Sequence, residues 1–108
     1  MSNNLIKKIL LEKKKEIVKC NILCIGDIIL DHYIYGRINR MSPEAPIPVL
    51  SFDSEDYRLG GAGNVARNLS TLGVKCDLIH FTGQDLSSKI ISQLISKENR
   101  IKQIKINL

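Results

Sequence analysis

The chain of 108 residues reads as an α/β protein built on a mostly parallel sheet. Two observations carry this. Two short runs end in glycine turns: Asn21–Ile25, apolar as a strand buried on both faces is, before Gly26-Asp27, and residues 75–81, which alternate toward Ile79 and Phe81, before Thr82-Gly83. Between and after them, apolar residues recur at helical spacing over 65–72 and 86–95. Strands alternating with helices in this way give parallel pairing through helical crossovers.

The elements can be taken in chain order. From Asn4 to Lys19, Leu5, Ile6, Ile9, Leu10 and Ile17 recur near helical spacing among lysines, so residues 1–20 are expected to form a basic amphipathic leader helix packed loosely on the rest of the chain. Asn21–Ile25 is the first strand. Between Tyr33 and Phe52 the pattern changes to two tyrosines, Gly36 and the run Ser42-Pro43-Glu44-Ala45-Pro46-Ile47-Pro48. Proline cannot donate to a sheet ladder, so an extended excursion of short edge strands is expected there. Gly60-Gly61-Ala62-Gly63-Asn64 then forms a glycine loop opening a helix with Val65, Ala66, Leu69 and Leu72, which Gly73 stops. A strand over 75–81, a helix over 85–97 and a final strand in 100–108, where Ile101, Ile104, Ile106 and Leu108 alternate with polar residues, complete the unit.

Composition narrows what such a unit can do. At 44% hydrophobic and 25% charged the chain is globular in type, and its length suffices for one modest core but not for two lobes closing on a site. Of the net charge of +5, the first twenty residues carry +4, from six lysines against Glu12 and Glu16. The basicity therefore belongs to the leader. Its lysines lack interleaved aromatics or a reading motif, which argues against a nucleic-acid partner, and no aromatic anchors it to a membrane. Asp27 and Asp31 interrupt the apolar run 22–35, and nothing reads as a secretory signal, so a cytoplasmic location is expected. Cys20, Cys24 and Cys76 form neither a CxxC pair nor an even set; reduced, buried thiols are expected, without zinc or disulfide.

A glycine-rich segment opening a helix has two readings. It can bring backbone N–H groups and a positive helix end close to hydroxyls or phosphate, or it can be a turn that needs positive φ. Neither the dinucleotide pattern nor the Walker pattern is matched.

The spacing of the glycines says more. Gly60-Gly61-Ala62-Gly63-Asn64-Val65-Ala66, six residues, Gly73, nine residues and Gly83 resembles in full the first signature of the ribokinase-like (PfkB) carbohydrate kinase family. Gly26-Asp27-Ile28-Ile29-Leu30-Asp31 resembles the end of that family's first strand, which implies that Asp31 binds sugar hydroxyls. Within the family, the run from Gly36 to Val49, with Tyr33 and Tyr35 before it and Arg58-Leu59 ahead of the glycines, is similar to the lid of the D-glycero-β-D-manno-heptose 7-phosphate kinases. Those kinases form the N-terminal part of a bifunctional heptose kinase/adenylyltransferase that makes ADP-heptose for the lipopolysaccharide core. The likeness covers about residues 21–95.

The resemblance implies that residues 21–108 are an incomplete ribokinase-like domain: a mostly parallel sheet with flanking helices and a small β lid, its strands within 33–52. A sugar phosphate is the implied substrate, bound by Asp31, Asn64 and the backbone N–H groups of Gly61, Ala62 and Gly63, and the complete enzyme is expected to form a homodimer through the lid strands. Carboxylate and amide can accept and donate at several hydroxyls, though Asp31 could instead cap a turn and Asn64 the helix. Arg37, Arg40 and Arg58 suit the substrate phosphate because guanidinium forks match its oxygens, and they suit a surface equally. His32, His80 and Tyr57 carry no signal beyond packing. In the family, ATP, Mg2+ and the catalytic base belong to a Gly-Ala-Gly-Asp segment nearer the C-terminus, and this chain has no glycine after Gly83. No residue here is therefore expected to be catalytic or to bind ATP or metal, and the chain is expected to be a truncated part, inactive alone. Another sugar or nucleoside kinase, or a non-catalytic binding module, are the alternatives.

Overall fold

The computed structural model describes residues 2–108. Helix α1 (Asn3–Ile17) begins at Ser2, whose hydroxyl oxygen accepts the Leu5 N–H at 3.3 Å. None of its residues is buried, so the packing expected of the leader shrinks to Val18, which lies 3.0 Å from where a Cβ on Gly73 would sit. Then come β1 (Asn21–Ile25), β2 (Ile28–Met41), β3 (Pro48–Gly61), α2 (Ala62–Thr71), β4 (Lys75–Thr82), α3 (Leu86–Ser96) and β5 (Ile101–Asn107). The strands β1, β4 and β5 form a parallel sheet in the order β1-β4-β5, with Ile22 and Ile101 flanking Cys76. The α/β class, the parallel sheet and the flanking helices are as the alternation of apolar runs and helical periods predicts.

The excursion is not a set of short edge strands. Strands β2 and β3, 14 residues each, pair as one long antiparallel ribbon that starts well before residue 33 and ends well after 52. The prolines permit this because they stand in the loop or at the first pair of the ladder. Pro43 and Pro46 lie in the connecting loop, which Ser42 N–H closes on the Ile47 carbonyl at 2.7 Å, and Pro48 is the first residue of β3. Nor is Gly60-Gly61 a loop. Both residues end β3, paired with Ile29 and Ile28, and the chain passes straight into α2 because Gly61 takes φ +58°.

The core lies on one face of the sheet. Cys76 and Leu78 of β4 meet Leu59 at the root of the ribbon, Ala66 of α2 and Ile95 of α3, with Cys24, Ile28 and Leu94 around them. Gly73, at φ +89°, ends α2. Asp85 caps α3, accepting the Ser88 N–H at 2.9 Å and the Ser88 hydroxyl at 2.7 Å, and these bonds hold its carboxyl below the usual carboxylate range. The thiols are less uniformly buried than expected: Cys76 is buried, Cys24 half-buried and Cys20 exposed. Burial first, and the neighbouring Cys24 second, push the Cys76 thiol up to about 11. Among the described residues no helix is long and apolar enough to cross a membrane.

Candidate functional site

The root of the ribbon is where strand, turn and helix converge. Residues directly opposite in the ladder share a face, so Ile29, Asp31, Tyr33 and Tyr35 stand on one side of the ribbon with Gly60, Arg58, Asp56 and Ser54. The Asp31 carboxylate lies over Gly60, and a Cβ built on Gly60 would stand 2.6 Å from Oδ2. Any side chain at position 60 would therefore displace the carboxylate. Asp31 is half-buried, and among the described residues its side chain makes no hydrogen bond or ion pair. It sits in mid-strand, which disposes of a turn-capping role.

The glycines beside it serve close approach. A Cβ on Gly61 would lie 2.5 Å from the Asp27 carbonyl oxygen, and one on Gly63 would meet Leu59 at 3.0 Å and Ile28 at 3.1 Å. This lets α2 start directly on the ribbon root. Of the three backbone donors expected, the Ala62 N–H donates to the Asp27 carbonyl at 2.9 Å, and Gly63 is a buried residue beside Leu59. Asn64 is the third residue of α2, the capping position being Gly61, and its exposed side chain has no hydrogen-bond partner among the described residues.

The three arginines are not brought together. Arg58 stands opposite Asp31 in the ladder. Its Nε donates to Asp56 Oδ2 at 3.0 Å, its Nη2 to the Tyr35 hydroxyl at 3.5 Å, and its guanidinium lies 4.9 Å from the centre of the Tyr33 ring. The hydrogen bond to Asp56 and the phenol oxygen of Tyr35 raise its pKa further. Arg37, loosely paired with Asp53 at 3.9 Å, lies six residues along β2 from Asp31, about 20 Å at the rise of a strand. Arg40 lies nearer the tip, about 30 Å away by the same measure. Neither of these arginines shares the root of the ribbon with Asp31.

The opposite face of the ribbon holds a cluster to which no sequence motif points. His32 Nε2 meets Glu55 Oε2 at 2.8 Å, and its ring stacks on Tyr57 with centroids 4.3 Å apart. The ladder pairs His32 with Tyr57, so only the register, invisible in sequence, could have shown it. A cleft of about 390 Å³ lined by Tyr57, Leu59, Arg67, Leu94 and Glu98 opens beside it. His80 has a structural role: buried, it meets the Phe81 carbonyl at 3.0 Å through Nδ1 and the Gln103 amide at 2.9 Å through Nε2.

Residues 19–105 match the model of the pfkB family of carbohydrate kinases. The chain belongs to that family. It is 39% identical over 90 residues to Bifunctional protein HldE of Rhodopseudomonas palustris (strain BisB5), a match spanning 83% of this chain and 18% of that relative. With HldE of Nitrobacter winogradskyi it shares 41% identity over 86 residues, 80% of this chain and 18% of the relative. A carbohydrate kinase from Agrobacterium tumefaciens superposes with a TM-score of 0.60 at 26% identity, over 82% of this chain and 27% of that one. The chain thus spans about a fifth of the length of the HldE relatives and about a quarter of the solved kinase. Among the described residues no three of His, Cys, Asp and Glu gather as metal ligands, and the Ala62–Asp27 bond occupies the turn that could have cradled phosphates.

Proposed function

We propose that this chain is the sugar-binding part of a cytoplasmic carbohydrate kinase whose substrate is D-glycero-D-manno-heptose 7-phosphate, phosphorylated at the anomeric hydroxyl on the way to ADP-heptose for the lipopolysaccharide core. The observation that carries the reading is the Asp31 carboxylate, half-buried against Gly60 and free of any protein partner among the described residues. A carboxylate held in that state accepts hydrogen bonds from two adjacent hydroxyls without first giving up another bond. Asn64, exposed on the first turn of α2, adds a donor and an acceptor from the neighbouring element. Family membership makes a sugar the ligand class, and the lid sequence from Gly36 to Val49, with the HldE relatives, supports a heptose phosphate over other sugars.

The work of these residues is positioning. Phosphoryl transfer asks the protein chiefly to align the acceptor hydroxyl and stabilise charge, and a sugar fixed by Asp31 and Asn64 presents one hydroxyl in one direction. Arg58 meets the substrate phosphate in this reading, which is supported by its being the one of the three arginines that shares the root of the ribbon with Asp31. The exposed lid strands, in the same reading, pair with those of a second copy in the complete enzyme.

Calorimetry with heptose 7-phosphate tests this. Asp31→Ala should weaken binding by about 2 kcal/mol, roughly 30-fold, the loss that follows when a hydroxyl is left without its charged partner. Unchanged affinity in the variant would remove Asp31 from the site and the reading with it.

A further inference from the structure

Helix α1 takes no part in the core or in the candidate site. None of its residues is buried, and the segment that matches the pfkB family begins only at residue 19. Its sides differ in character. Leu5, Ile6, Ile9 and Leu10 line one side of the first turns and Ile17 continues it, with Leu10 64% and Leu5 47% exposed. Lys7 and Lys14 form one row along the rest of the helix and Lys8 and Lys15 another, with Leu11 and the capping Val18 between the rows. Glu12 borders the aliphatic side, and Lys13, ion-paired with Glu16 at 3.4 Å, crosses it in its second half. The first twenty residues still carry +4. The neighbouring end of the sheet adds to this charge: Lys75 stands beside Asn21 where β4 and β1 begin, and Arg100 directly precedes β5. Asp77 and Glu98 offset part of it, the first opposite Lys102 in the ladder, the second accepting the Ser70 hydroxyl at 2.9 Å and facing Arg67 at 3.6 Å.

We infer that α1 is an interfacial helix that attaches the chain peripherally to an anionic lipid bilayer, with Leu5, Ile6, Ile9 and Leu10 among the acyl chains and the lysine rows at the headgroups. Charge complementarity selects this occupant. A polyanion would leave the aliphatic side in water, and an uncharged apolar partner would leave the lysines without counter-charge. Lys13 reaches the headgroups along its methylene stem. In the sequence alone the lack of an aromatic anchor weighs against a membrane; the structure adds that the aliphatic side has no protein cover among the described residues. Without Trp or Tyr on the helix, aliphatic burial and charge have to act together, so binding fails when either is removed. Attachment through α1 leaves the ribbon root free, because α1 joins β1 at its amino end and Asp31 lies beyond the carboxyl end of that strand. The inference rests neither on the kinase reading nor on the identity of the sugar.

The test is co-sedimentation of the 108-residue chain with phosphatidylcholine vesicles, either pure or containing about 30% phosphatidylglycerol. Four forms are compared, each checked for folding by circular dichroism: unaltered, Ile6→Gln with Ile9→Gln, Lys14→Gln with Lys15→Gln, and Ile25→Gln with Phe81→Gln as a control on the sheet face away from the core. All six positions are solvent-exposed, so the substitutions leave the core intact. The unaltered chain is expected to bind the anionic vesicles, to ignore the pure phosphatidylcholine ones and to come off at about 0.5 M salt. Each α1 variant should weaken binding about tenfold or more, and the control should leave it unchanged. No binding by a folded chain, equal binding to uncharged vesicles, or binding indifferent to the α1 variants would overturn the proposal. So would heparin binding as tight as vesicle binding and untouched by Ile6→Gln with Ile9→Gln, which would make a polyanion the partner.

Discussion

Asp31 and Gly60 are 29 residues apart in the chain and in contact in the fold, and that contact organises the root of the ribbon. The glycine spacing is legible in the sequence, but its physical meaning is not. A sequence shows that 60, 61 and 63 lack side chains; only the backbone shows that one makes room for a carboxylate, one takes positive φ against a carbonyl and one lets a helix touch Leu59. Gly61→Ala tests the second role. Left-handed backbone and a Cβ at 2.5 Å from the Asp27 oxygen should cost about 2 kcal/mol, so the variant should lose its far-UV signal at clearly lower urea. An unshifted transition would mean that the strand-to-helix passage relaxes freely. The cysteines make a second residue-scale case. Cys20 is exposed, whereas burial keeps Cys76 protonated well above neutral pH. Iodoacetamide treatment and peptide mass spectrometry should therefore show Cys20 labelled first and Cys76 only on unfolding.

At the scale of elements, the helices and parallel strands are readable from periodicity because each buries a face whose spacing is written locally. The ribbon is not, because what makes β2 and β3 long is pairing that runs from Met41 with Pro48 at the tip to Ile28 with Gly61 at the root, and prolines read as breakers sit in the loop and at a strand start. The ribbon beyond its root leaves Ile34, Ile38, Leu50 and Phe52 exposed, with Ile38 opposite Leu50 and Phe52 opposite Gly36 on one face. A complete kinase built on this chain should therefore be a dimer through the ribbon at tens of micromolar, the range of weak association, and Phe52→Asp should shift it to monomer in ultracentrifugation. Helix α3 supplies a pH test. The Asp85 carboxyl is held below its usual range, so its contribution to stability is present above that range and is lost as pH falls through the depressed value. Asp85→Ala should lower the melting midpoint at neutral pH, and the gap should close as pH falls below about 4. A gap independent of pH would show that the cap does not act through its charge.

Over the whole molecule the proportions are extended. The chain measures 60 × 46 × 19 Å with a radius of gyration of 19.6 Å, where a compact domain of this length has about 13 Å. Its buried hydrophobic residues are Leu59, Ala66, Val74, Cys76, Leu78 and Ile95, while aliphatic and aromatic side chains on α1, the ribbon and the open sheet face meet water. The chain alone should melt broadly at low temperature, bind apolar dyes and release no ADP from ATP with heptose 7-phosphate, since its glycine turn is committed to the ribbon root. The family is readable from residues 21–95 because the signature spacing is fixed, and the site only in outline, because which donors are free depends on bonds such as Ala62 to Asp27. Whether the sugar sits at that root is decided most directly by mapping amide chemical shifts as heptose 7-phosphate is added to the labelled chain. Saturable shifts centred on Asp31, Arg58, Gly60, Gly61 and Asn64 are expected, with the strands near the ribbon tip unmoved. Shifts confined to other parts of the chain, or none at concentrations that saturate a complete kinase, would contradict a sugar site at the root of the ribbon.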